Sequence, residues 1–262
     1  MQTIITPTDF SDISLNAVNY AADMALALNA SLLILHAEKL PLTLTFSSKP
    51  NYDENTEEKL YKLKQELSIR TRDKIKINSK QVPGIIENEL IKICEYKNPL
   101  AVVMATHGAS LQKLLFVESI TVYLSRNLKY PVIVVPEGKK FKPVHKILLA
   151  SDFKNIDNLP IEKIISIVTG FNATLDIVHV NKADEKFNSK SVEVCTLNEY
   201  FKNLNPNFHF INNDNVQHGT LHFAEKHNID IILTFPKKHT FFHKSESKQL
   251  IFNSPVTVMT LQ

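Results

Sequence analysis

The chain has 262 residues, 44% hydrophobic and 22% charged, with 30 basic against 27 acidic side chains and a net charge of +3; that composition suits a globular protein with real cores, not a disordered one. The charges are dispersed, without the basic block that tracks phosphate backbones, so no nucleic-acid partner is expected. No stretch reaches the roughly 18 apolar residues of a membrane span, and MQTIITPTDF runs straight into a strand-like pattern without a signal core, so a cytoplasmic protein with no membrane partner is expected.

The first predicted element is a strand, IITPTDF (4–10), which ends at Asp9-Phe10. A helical stretch follows, DISLNAVNYAADMALAL, with apolar residues at mixed three and four spacing, and NASLLILHA (29–37) closes a β-α-β unit. EKLPLTLTFSSKPNYDEN (38–55) has loop composition and is long enough to cover a site mouth. From Gly84 onward, Ile86, Leu90, Ile93 and Cys94 make one inward helix face, with Gly84 an acceptable N-cap and Cys94 a buried free thiol. AVVMA (101–105) and the Pro-led PVIVV (131–135) are continuous apolar runs typical of strands buried on both faces of a parallel sheet. PEGKKFKPVH (136–145) reads as a linker.

Beyond the linker the pattern repeats. ILLASDF (147–153) and NATLDIVHV (172–180) match the first two strands at one offset of 143. NKADEKFNSK (181–190) reads as a loop, and Val216, Thr220, Phe223 and Ala224 repeat the inward helix face after Asp214, at an offset of 130. IILTF (231–235) keeps that offset, but PVTVM (255–259) lies 124 beyond its counterpart, so copy two has lost six residues before its last helix. A repeat of this length means two domains, and strand-helix alternation means a doubly wound parallel α/β sheet in each, with its ligand crevice at the carboxyl ends of the strands. In copy one that crevice should gather Pro7, Thr8 and Asp9, then His36 and Ala37, then the loop after AVVMA.

The order TPTDFS, NASLLILHA, VVMATHG, ES and PVIVV resembles the universal stress protein family, over nearly the whole chain and twice. The resemblance implies two tandem Rossmann-like domains, 1–136 and 146–262 around a linker at 137–145, each with a mostly parallel five-stranded sheet. It also implies an intramolecular pseudo-dimer in which PVIVV and PVTVM pair antiparallel. ATP-binding members have Gly, two residues, Gly, nine residues, Gly, then Ser or Thr. The same frame here holds Ala105, Thr106, His107, Gly108, nine residues, then Glu118 and Ser119. The resemblance therefore implies nucleotide contacts from Pro7, Asp9, Ala37, Met104, Ala105, His107, Gly108, Ser119, Ile120 and Thr121. Two of the three glycines are replaced, and Glu118 puts a carboxylate where the polyphosphate belongs. Two unit charges about 4 Å apart repel by roughly 4 kcal/mol at an effective dielectric of 20. Copy two has Phe235, Pro236, Lys237 and Lys238 in place of the first Gly-x-x-Gly, and its deletion falls inside the phosphate loop.

Each candidate has a plainer reading beside it. Asp9 is a nucleotide contact by resemblance or a cap for the helix behind it. Gly108 makes a turn, and Ser119 caps ITVYLSRNL. His36 and His179 occupy matching strand ends in both copies, which favours a structural hydrogen bond. His218 and His222 share one exposed helix face, but two ligands without a third make only an adventitious metal site. No nucleophile, base and orienting group can be assembled, and the TPTDFSD segment is not the glycine-rich loop that a nucleotide hydrolase or adenylyl transferase would need. The expectation is a non-catalytic stress-response binding or signalling module. ATP is its cofactor in domain 1 at most weakly and not at all in domain 2, and its protein partner and any homo-oligomer are open. The alternative is an ATP-dependent sensor or slow nucleotide hydrolase using the domain 1 crevice.

Overall fold

The computed structural model describes residues 2–38, 54–106, 120–151, 153, 156–181, 188–235, 250, 251 and 253–262. The chain divides into two compact units, 1–141 and 142–262, so the division falls within the Pro- and Lys-rich segment 136–145.

Unit 1 contains β1 (Thr3–Pro7), α1 (Asp12–Ala27), β2 (Ser31–Glu38), α2 (Glu54–Thr71), β3 (Ile77–Pro83), α3 (Ile86–Lys97), β4 (Ala101–Ala105), α4 (Ile120–Asn127) and β5 (Val132–Val135). Its strands lie in the order β3-β2-β1-β4-β5, and neighbouring strands are parallel throughout. Unit 2 contains β6 (Lys146–Ala150), α5 (Ile161–Phe171), β7 (Thr174–Asn181), α6 (Val192–Tyr200), β8 (Asn207–Asn212), α7 (Val216–Lys226), β9 (Ile231–Thr234) and β10 (Thr257–Thr260). Its strands run β8-β7-β6-β9-β10, again parallel. The central strands are the continuous apolar runs: Ala101, Val102 and Val103, for example, are all but fully buried. Such strands need cover on both faces, which the crossover helices supply.

Helix ends follow from asparagine. α3 and α5 stop at Asn98 and Asn172 in the left-handed conformation, with φ of 47° and 52°, while Asn29 and Asn228 take φ of 50° and 55° just beyond α1 and α7. Asparagine tolerates that conformation better than other residues with a side chain, so each helix terminates where the next central strand must begin. Asn29 and Asn172 are one offset of 143 apart, and Asn98 and Asn228 one of 130, so the duplication extends to the helix stops.

Several boundaries differ from the sequence reading. Glu38 still belongs to β2 and α2 starts at Glu54; residues 39–53 of the long loop lie outside the described set. Asn181 ends β7, so it is not loop, and α6 follows from Val192. The N-cap of α3 is Ile85, not Gly84, and that of α7 is Asn215, not Asp214. The segment 136–145 is anchored at both ends. Asn16 Nδ2 donates to Pro136 O and Lys139 O at 3.2 and 3.3 Å, and Phe141 meets Tyr20 edge-on. The His145 and Lys146 backbone N–H groups donate to Asp230 Oδ2.

Cys94 faces the core from α3, and burial, helped by the neighbouring Glu95 charge, pushes its thiol up to about 12. At pH 8 only about one part in ten thousand would be thiolate, the reactive form. Cys195 is exposed. An aromatic disulfide reagent should therefore titrate one thiol per native chain quickly and the second only in denaturant; two fast thiols would contradict the packing of α3.

Candidate functional site

The site begins with a strained turn. After β1, the Thr8 N–H donates to Leu35 O at 2.8 Å, and Phe10 then takes φ of 62°, a left-handed conformation that costs a bulky residue about 1–3 kcal/mol. Three contacts hold it. The Phe10 N–H donates to Thr8 Oγ1 at 3.0 Å, the Phe10 ring lies 4.8 Å from that of His36, and His36 Nδ1 bonds Thr8 O at 2.8 Å. Because a carbonyl only accepts, that last bond places the imidazole proton on Nδ1. The turn also aims α1. Ser11, in extended conformation, caps the helix by accepting from Ser14 N. Asp9 Oδ1 accepts from Ser11 N at 3.0 Å and Ser11 Oγ at 2.6 Å. Asp9 is therefore not the cap expected in the plainer reading; it is the brace of the cap.

Beside this turn is a cavity of about 380 Å³. It lies next to the carboxyl ends of β1, β2 and β4. The chain leaves β1 toward β2 and β3 on one side and returns to β4 on the other, which makes the junction of β1 and β4 the switch point where such sheets take ligands. Of the residues expected at the site, Pro7, Asp9, Ala37, Met104, Ala105, Ile120 and Thr121 all border this cavity. His107, Gly108 and Ser119, with Glu118, lie outside the described residues. Thr121 Oγ1 donates to Ala105 O at 3.0 Å and so fixes α4 to the end of β4.

The lining also includes residues the sequence reading did not place there: Ser14, and the entry to α3 made by Gly84, Ile85, Ile86 and Glu87. Gly84 has φ of +94°, and a Cβ there would meet nothing within 4 Å, so glycine serves the backbone turn and not a close contact. Ile85 offers no side-chain cap, and Glu87 and Glu89 stand in the first turn instead. The signal was available: a crossover helix in a parallel sheet starts on the carboxyl side of the preceding strand, which puts the first turn of α3 beside the crevice.

Unit 2 repeats the contacts between phenylalanine, histidine and the strand-end residue. Phe153 has φ of 58°, its N–H donates to Ser151 Oγ, His179 Nδ1 bonds Ser151 O at 2.9 Å, and the two rings are again 4.8 Å apart. The surroundings differ. Val180 stands for Ala37 and Phe235 for Ala105, at 4% and 6% exposure, and Phe153 and His179 are each 2% exposed where Phe10 and His36 are half-buried. Asn215 caps α7 by accepting from His218 N, where unit 1 has the uncapped Ile85. Asp152 and residues 236–249 lie outside the described residues.

Other polar clusters are structural. His218 and His222 are exposed and stack in parallel, 6.3 Å apart, and among the described residues no three His, Cys, Asp or Glu side chains are placed to hold a metal ion. His209 Nε2 meets Asp176 Oδ1 at 2.7 Å and packs with Phe223 and His227, tying β7, β8 and the end of α7 together. Partial desolvation and the nearby His209 keep His227 below the usual histidine range. No described helix is long and apolar enough to cross a membrane.

Comparison with known proteins agrees with the fold described above. The model of the universal stress protein family matches residues 1–136. A universal stress protein of Methanocaldococcus jannaschii is 25% identical over 144 residues, which is 52% of this chain and 83% of that protein. A universal stress protein structure from Archaeoglobus fulgidus superposes with a TM-score of 0.72 at 20% identity, over 99% of this chain and 96% of that one. A structure from Pseudomonas aeruginosa described as a putative universal stress protein gives 0.60 at 15% identity, over 100% and 93%. At such identities the structural matches speak for the fold.

If Ser11 and not Asp9 is the cap, Ser11→Ala should cost about 1 kcal/mol of stability, the usual worth of such a cap, and Asp9→Ala less. Urea denaturation of both variants measures this; an Asp9 variant losing more than the Ser11 variant would contradict the assignment.

Proposed function

Because the chain belongs to the universal stress protein family, we propose that it is a stress-response binding module, not an enzyme, with one small-molecule site per chain in unit 1 for a ligand containing an adenine ring. One observation carries this reading: the described residues that the family resemblance assigns to nucleotide contacts border a single cavity, at the switch point of the sheet. Its volume of about 380 Å³ lies in the range typical of small-molecule sites, roughly 300–1,000 Å³. Met104, Ile86 and Ile120 offer apolar surface for a planar ring.

The non-catalytic half of the proposal rests on how the polar groups of the wall are used. Ser14 Oγ donates to Ser11 O and is bonded to Thr8 Oγ1, and His36 spends its Nδ1 proton on Thr8 O. Neither serine nor histidine is arranged as nucleophile and base. ATP itself should bind weakly, given Glu118 in the phosphate frame. Unit 2, with Val180 and Phe235 buried at the matching strand ends, is the half that takes no adenine ligand.

Transplanting the unit 2 residue tests the site. In the full chain, Ala105→Phe should weaken binding of adenine compounds at least tenfold in isothermal titration, with the far-ultraviolet circular dichroism unchanged. Unchanged affinity would place the ligand elsewhere and overturn the reading.

A further inference from the structure

On the premise of the proposed adenine site, the hydrogen-bonding groups of the unit 1 wall narrow the ligand further. A hydroxyl has one hydrogen to give. That of Ser14 goes to Ser11 O at 2.9 Å, so in the 3.0 Å pair between Thr8 and Ser14 it is Thr8 that donates. Thr121 donates to Ala105 O, and the His36 Nδ1 proton goes to Thr8 O. Every side-chain donor of these four residues is thereby spent within the protein. The remaining groups accept: His36 Nε2, whose lone pair is left by protonation at Nδ1, and the carboxylate of Glu87. Among the described lining residues there is no lysine or arginine. Backbone donors remain in the first turn of α3, but Glu87 in that turn offsets the partial positive charge that would draw an anion.

A wall of this kind suits a ligand that donates hydrogen bonds and carries no negative charge. We propose that unit 1 binds an uncharged nucleoside whose base bears an exocyclic amine, in preference to its phosphorylated forms, and that His36 Nε2 is a specificity-determining acceptor for that amine. A base with a carbonyl in place of the amine would turn an acceptor toward acceptors, and unpaired polar groups in a partly enclosed site discriminate strongly. A triphosphate would bring charge toward Glu87.

The test is isothermal titration of the full chain with adenosine, inosine and ATP, on the wild type and on His36→Asn. Asparagine Nδ2 can take the place of imidazole Nδ1 and keep the bond to Thr8 O, while Nε2 is lost. The wild type should bind adenosine at least tenfold more tightly than inosine or ATP. In His36→Asn, adenosine affinity should fall at least fivefold and the preference over inosine should disappear. ATP binding as tightly as adenosine would overturn the inference while leaving the adenine site standing. Equal binding of adenosine and inosine, or a preference that survives in His36→Asn, would remove the role of His36. No binding of any of the three would take down the adenine site and this inference together.

Discussion

The bond from a histidine Nδ1–H to the carbonyl of the residue just beyond the first strand is the contact on which each unit turns. It couples the ends of two neighbouring strands, His36 to Thr8 in unit 1 and His179 to Ser151 in unit 2. It also brings the imidazole against the phenylalanine that must sit in left-handed conformation, Phe10 or Phe153. That turn directs the chain from strand to helix; in unit 1 it presents Ser11 as the cap of α1. Without the ring contact and the bond to Thr8 or Ser151, a strained phenylalanine would have little to hold it.

One scaffold serves two outcomes because side-chain volume at the strand ends is independent of the turn. Alanine at 37 and 105 leaves room in unit 1; valine at 180 and phenylalanine at 235 are buried in unit 2. The helix entries diverge in the same sense. Asn215 satisfies the first turn of α7 from within the chain, while Ile85 leaves that of α3 to the cavity. Gly219 adds to the closeness of packing in unit 2, since a Cβ there would come within 3.1 Å of Val180.

Much of this was legible in the sequence, for identifiable reasons. The central strands are apolar on both faces, so AVVMA and IILTF stand out as runs, and the duplicated Asp-Phe and His positions mark both crevices. The edge strands β3 and β8 were not placed, because INSKQVP has four consecutive polar residues and NFHFIN interleaves polar and apolar ones, so neither forms a continuous apolar run, and both are partly exposed. α2 escaped notice for a related reason: its Glu- and Lys-rich sequence has few buried positions. Within the site, strand-end residues followed from the repeat, whereas the part played by Gly84 to Glu87 depends on where the first turn of α3 lies in space. His36 was expected both at the crevice and as a structural hydrogen-bonding residue; that Nδ1 makes the bond, which leaves Nε2 for the cavity, appears only in the structure.

The central claim is that a shared turn carries one open site, in unit 1. Its most direct test is amide chemical-shift mapping of the isotopically labelled full chain during titration with adenosine. The account predicts shifts at Thr8, Ala37, Gly84, Ala105 and Thr121, while Ser151, Val180, Asp214 and Phe235, which match the first four, stay unmoved. Perturbation of the second group, or of neither, would contradict it.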